Sequence, residues 1–281
     1  MDRKRSVEID LLTLIAISII AWSMANFLHE VVGHAGSAAI LGIPVRAVST
    51  TTMYIEWDQI KTAGQNRFIN AAGPGMNLLT GIIALLFLRS PKVKNSATRY
   101  LLWLFSTVSF IIVILNLISA PLIGGGDFTV FIQDFKNKEL WKAIIIGIGV
   151  ILAIPGYSLP LRFWMPSLKG NRKTLLKITI IPVLTFIFVQ TLSLIGSPFS
   201  RLAPDYNHLL ASVFAYFHFI LWAVLVNIIP IPRSAHTIEH IRLPRSVVYI
   251  ILGFVTGIIF ILVLGPGLGP LDQDPRLEYW K

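Results

Sequence analysis

The sequence predicts an all-α polytopic membrane protein of about seven transmembrane helices, with a small strand or hairpin segment near 45–57. Composition is the first observation behind this. The 281 residues are 54% hydrophobic and only 14% charged, with a mean hydropathy of +0.72, outside the range of ordinary soluble globules. The second is a series of apolar runs, each of the ~18 residues or more that a bilayer crossing needs. They fall at about 9–28, 68–88, 100–122, 141–160, 177–197, 209–229 and 247–265. The third is that the longest polar connection, at about 45–67, is still too short to hold a separate soluble domain.

In chain order, residues 1–8 are charged, but the run behind them is longer than a signal-peptide core and shows no small-residue cleavage site. It is expected to stay as the first span. The 45–67 connection contains "VRAVSTTTMYIEW", rich in β-branched and aromatic residues, which predicts a strand or hairpin at the membrane surface. Tyr54 and Trp57 suit that interface. Pro155 and Pro182 fall in or near the fourth and fifth spans, where kinks are tolerated. Gly253 and Gly257 in the last span have GxxxG spacing, read as close helix packing. Neither an internal repeat nor a long linker divides the chain, so residues 1–281 form a single membrane domain.

The formal charge of +10 would suggest nucleic acid in a soluble protein. In a membrane protein it reports orientation instead, and no nucleic-acid partner is expected. With the N-terminus inside, the inner segments hold fifteen of the 24 Lys and Arg residues, which favours a cytoplasmic N-terminus. Cysteine is absent, so any metal site must be built from His, Asp or Glu.

The segment "FLHEVVGHAG", Phe27 to Gly36, places His29, Glu30 and His34 near the end of the first apolar run. Ionisable groups at such depth are functional candidates by default. The histidines are five residues apart, which on a straight α-helix separates them by about 140°. A single π-helical turn absorbs the extra residue and returns both to nearly one face, and Gly33 eases the distortion. His29 and His34 would then hold Zn²⁺, with Glu30 as the base on the water that the metal activates. The alternative is three polar residues at a helix end, with His34 hydrogen-bonded in a packed bundle.

Three segments together resemble the site-2 protease family of intramembrane zinc metalloproteases. "HEVVGHAGSAAILGIPV" is similar to that family's HExxH helix; "NAAGPGMN", Asn70 to Asn77, to its A-G-P-x-x-N turn; and "NLISAPLIGGGDF", Asn116 to Phe128, to its N-x-x-P…D-G-G segment. The similarity spans roughly residues 10–130. Two departures stand out. The histidine motif is HExxxH, the form that resembles the HELLGH of the dipeptidyl peptidase III family. In the third segment Gly124 stands where the family has its aspartate, and Asp127 follows the glycines instead.

The resemblance implies a metalloprotease core over 9–128, with 129–281 adding further transmembrane helices. It also implies Asp127 as third metal ligand, and a substrate-binding role for Asn77, Gly73 and Pro74. Membrane parity is an independent argument for Asp127, because the ends of the first and third spans lie at the same face. A rival segment, "NIIPIPRSAHTIEH", Asn227 to His240, carries an HxxEH signature in His236, Glu239 and His240, but follows the sixth span and falls on the opposite face. His218, in mid-span, is read as bonding a neighbouring helix, and His208 as an ordinary loop residue.

The implied activity is zinc-dependent hydrolysis of peptide bonds in membrane-protein substrates within the lipid bilayer. An inactive protease-like binding protein, or a small transporter with a polar His/Glu/Asp path, are the alternatives. An inside N-terminus sets His29 and His34 toward the outer face, whereas the resemblance implies a site nearer the cytosol.

Overall fold

The structure is a computed structural model and describes residues 9–164, 172–196, 206–228 and 242–269. The first helix, α1 (Leu11–Phe27), begins at Asp10, whose carboxylate accepts the Thr13 backbone N–H at 2.8 Å, satisfying a donor that the first turn leaves without a partner. The rod outlasts the first apolar run. It passes into a π-helical segment, Leu28–Ala35, and then α2 (Gly36–Ile40), giving 30 continuous helical residues.

The β-branched stretch forms an antiparallel hairpin of β1 (Val45–Val48) and β2 (Met53–Ile55), closed by the Ser49 N–H donating to the Thr52 carbonyl at 2.8 Å. On the far side of β1, Val48 and Leu268 exchange backbone hydrogen bonds of 2.8 and 2.9 Å, so β2 is the outer strand. Ala35, Ala38, Ile43, Met53, Ile55 and Ile69 pack into a small core that fixes the hairpin against the π-helical segment. Its position relative to the histidines is therefore set by apolar burial.

A short 3-10 turn, Trp57–Gln59, leads to α3 (Ala63–Arg89), which Thr62 and Gln65 start with a reciprocal capping box. The remaining helices are α4 (Ser96–Ile123), the short α5 (Asp127–Phe131), α6 (Lys138–Trp164), α7 (Arg172–Gly196), α8 (Tyr206–Ile228) and α9 (Val247–Ile258). The last continues as π-helical Ile259–Leu264. Six segments among the described residues are long and apolar enough to cross a membrane. The seventh predicted run, 209–229, is helix α8, of which Ala215–Ile228 appears as a shorter apolar helix. The chain is thus a multi-pass, all-α membrane protein with one small sheet.

Helix α4 is the axis of the bundle: 72% of its apolar window is buried, against 22% for α6 and for the final span. Those outer helices turn Ile151, Ile154, Ile251 and Phe254 outward, the surface that acyl chains would cover. On the inner side, Trp22 of α1 stacks on Phe186 of α7 at 5.2 Å and donates its Nε1–H to Gln190 at 3.0 Å. Gly253 lets α9 cross α1 almost backbone to backbone, since a Cβ there would sit 2.7 Å from the Ala16 Cα. Its part in the GxxxG pair is this packing. Pro155 and Pro182 lie inside α6 and α7. Buried His218 packs edge-on to Phe217 at 6.0 Å. The HxxEH segment falls outside the described residues, as does the His208 side chain.

Candidate metal centre

A wide turn is what the five-residue spacing requires, and Leu28–Ala35 is π-helical. With i and i+5 on one face, the rings of His29 and His34 meet edge to face at a centroid distance of 4.7 Å, and their Nε2 atoms lie 3.1 Å apart. Both rings are buried.

Their outer nitrogens fix their tautomers. His29 Nδ1–H donates to Asn77 Oδ1 at 2.6 Å, while the same amide donates through Nδ2 to the Ala25 carbonyl at 2.9 Å. Asn77 is fully buried with both ends of its amide engaged, so its oxygen faces His29. His34 Nδ1–H donates to the Ile69 carbonyl at 2.7 Å, a group that can only accept. In the neutral rings, each Nε2 therefore presents a lone pair to the other.

Glycines allow α3 to come this close. A Cβ on Gly33 would sit 2.6 Å from the Gly73 Cα and 2.8 Å from the Ala72 carbonyl oxygen, and one on Gly73 would overlap the His34 ring. Gly33 thus serves the contact with α3 as well as the wide turn. Buried Pro74 follows directly, and its missing N–H withholds the usual helical donor from the Asn70 carbonyl. Gly73, Pro74 and Asn77, to which the resemblance gives substrate roles, are placed beneath and beside the two histidines.

Asp127 arrives from a third direction. α4 ends at Gly124 (φ 74°), Gly126 (φ 82°) precedes α5, and a Cβ on Gly126 would lie 2.8 Å from that of Ala120. Left-handed backbone at both positions makes glycine the natural choice. The turn brings Asp127 Oδ2 to 3.1 Å from His29 Nε2 and Oδ1 to 3.2 Å from His34 Nε2. Oδ2 is buried and makes no hydrogen bond.

The structure therefore brings His29, His34 and Asp127 together, and one ligand atom from each lies within 4.8 Å of the other two. Lone pairs on two nitrogens and a carboxylate converge with no donor between them, which is the chemistry of a cation site. Glu30 is buried one residue along from His29, close enough to interact electrostatically with His34.

Sequence reasoning named Asn77 but not as the partner of His29, and it missed the Ile69 carbonyl beside His34. The Ile69 carbonyl is a backbone group and leaves no trace in residue identity. Asn66 and Asn70 did leave one: with Gly73 and Asn77 they recur at four-, three- and four-residue steps, a single stripe on α3.

Fold and centre together define a helical multi-pass membrane protein in which two buried histidines and a half-buried aspartate converge. No family model, curated protein or solved structure matches the chain.

Proposed function

We propose that the protein is an intramembrane zinc metalloprotease, similar to the site-2 protease family, that hydrolyses peptide bonds of membrane-protein substrates. The observation that carries this reading is the convergence of His29 Nε2, His34 Nε2 and the Asp127 carboxylate at 3.1 to 3.2 Å. Ligands ~2.0–2.2 Å from a tetrahedral zinc stand roughly 3.3–3.5 Å from one another, so little adjustment separates the cluster from a three-ligand site. Three protein ligands with a fourth position open is the catalytic arrangement. Zinc bound there would supply Lewis-acid polarisation of a carbonyl and activation of water.

The chain's own groups do the rest. Asn77 and the Ile69 carbonyl hold the two imidazoles in the tautomer that leaves Nε2 free. Glu30, buried on the same wide turn and not among the ligands, accepts the proton of the attacking water and returns it to the leaving amine. The substrate's extended segment pairs with β2, the outer strand.

Orientation belongs to the same proposal: the N-terminus lies in the cytoplasm, which terminal tags and protease accessibility check.

Two measurements on detergent-purified protein test the function. Elemental mass spectrometry should find about one zinc per chain in the wild type and little in His34→Ala. Equal, negligible zinc in both would reject the metal centre. Glu30→Gln should keep its zinc but lose at least a hundredfold in cleavage of a reporter substrate. Undiminished cleavage would remove Glu30 from its role.

A further inference from the structure

A cavity of about 610 Å³ opens between the start of α3 and the segment that follows Asp127, within the ~300–1,000 Å³ range of ligand sites. Trp57, Ile60, Thr62 and Asn66 line one side, Val130 and Asp134 the other. The walls thus come from the turn after β2, from the start of α3 and from the segment that follows Asp127.

Asn66 is the feature that points to a ligand. It is only 8% exposed, yet half of its amide has no partner. Asn70 Nδ2 donates to Asn66 Oδ1 at 2.9 Å and to the Asn66 carbonyl at 2.8 Å, which leaves Asn66 Nδ2 as a donor at the cavity wall. Nδ2 keeps access to the cavity rather than being sealed without an acceptor, so an acceptor oxygen entering there can take its hydrogen bond. Lys61 and Asp134 carry opposite charges at its edge, so an anionic headgroup or phosphate gains no net attraction there. A neutral carbonyl flanked by apolar groups suits the mixture of Trp57, Ile60 and Val130.

Distance sets where that carbonyl belongs. Asn66 and Gly73, on which the His34 ring rests, are seven residues apart on α3, roughly 10 Å at ~1.5 Å per residue. An extended peptide covers that length in about three residues at ~3.3 Å each. Trp57 follows β2 by two residues, so a strand laid along β2 would run toward the cavity.

We infer that this cavity is a substrate subsite, in which Asn66 Nδ2 donates to a backbone carbonyl of an extended peptide about three residues from the scissile bond. The inference rests on the proteolytic reading for its substrate, but its test does not require cleavage. Immobilised Glu30→Gln protein, zinc-loaded in detergent, would be used to select binders from a random decapeptide library. Parallel selections would use the same protein also carrying Asn66→Ala, or Val130→Trp, which fills the cavity from its opposite wall.

Peptides retained by Glu30→Gln should bind at least tenfold more weakly to both double variants, with zinc content unchanged in all three proteins. Equal retention by the double variants, or no selected sequence at all, would overturn the subsite. Wild-type protein then separates the two ideas. Selected peptides cut about three residues from their most constrained position support both. Peptides that bind through Asn66 but are never cut reject the protease and keep the subsite. Peptides cut at the same rate by Asn66→Ala reject the subsite and keep the protease.

Discussion

The chain's two halves use the same device, a glycine at a helix crossing, for different ends. At Gly253 a missing Cβ lets α9 lie against Ala16 of α1, and the neighbours are the apolar side chains of a lipid-facing bundle. At Gly33 and Gly73 the missing Cβ atoms let α3 lie against the wide turn, and the neighbours are His34, the Ile69 carbonyl and Asn77. Close approach in the C-terminal half yields packing. In the first half it also delivers hydrogen-bond partners to two imidazoles, so a packing error there becomes a chemical error.

The largest expected effect tests that distinction directly. Gly73→Ala drives a methyl into the His34 ring and should lower zinc affinity by more than a hundredfold. Gly253→Ala should separate α9 from α1, lowering the detergent melting temperature while zinc stays bound. Parallel zinc titration and thermal unfolding check both, and the comparison fails if Gly253→Ala releases the metal as readily as Gly73→Ala. Next in size is Asn77→Ala, which removes the partner that orients His29. Loss of such a supporting group costs about 10–100-fold in metal affinity, readable by competition with a chelator. An unchanged affinity would mean that the π-helical turn alone sets the ring.

The smallest effect lies at the start of α1, away from both crossings. Asp10→Ala removes the helix cap and should cost at most about 1 kcal/mol, with zinc content untouched. The backbone N–H of Thr13 holds the Asp10 carboxyl below its ordinary value. Its contribution is therefore complete above the unfolded carboxylate pKa and is lost as pH falls through the folded one. Denaturation of wild type and Asp10→Ala compared at neutral and acid pH should show the gap between them closing toward acid.

Much of this was legible in the sequence because membranes impose strict rules. Apolar runs marked the spans, and β-branched residues in the longest polar connection marked the hairpin. "HEVVGH" announced the wide turn, because two histidines five apart serve one site only if the helix expands. Apolar patterning could not show where the first helix ends: residues 29–40 continue the rod although the first apolar run stops near 28. Nor could it show that α3 begins at Ala63, where Thr62 and Gln65 cap it, ahead of the apolar run at 68. The pairing of Val48 with Leu268 joins residues more than two hundred apart, and the contact between Gly33 and Gly73 is tertiary. Such features depend on what the folded chain brings close, which no local pattern records.

Asp127 follows the third of the described spans, whereas His29 and His34 sit in the first. A growing polypeptide cannot complete the cluster until the glycine turn after α4 has left the ribosome, about a hundred residues behind the histidines. Any ion held by all three residues can thus be captured only after the first three described spans have been synthesised. Nascent chains arrested before Asp127 should lack that capture.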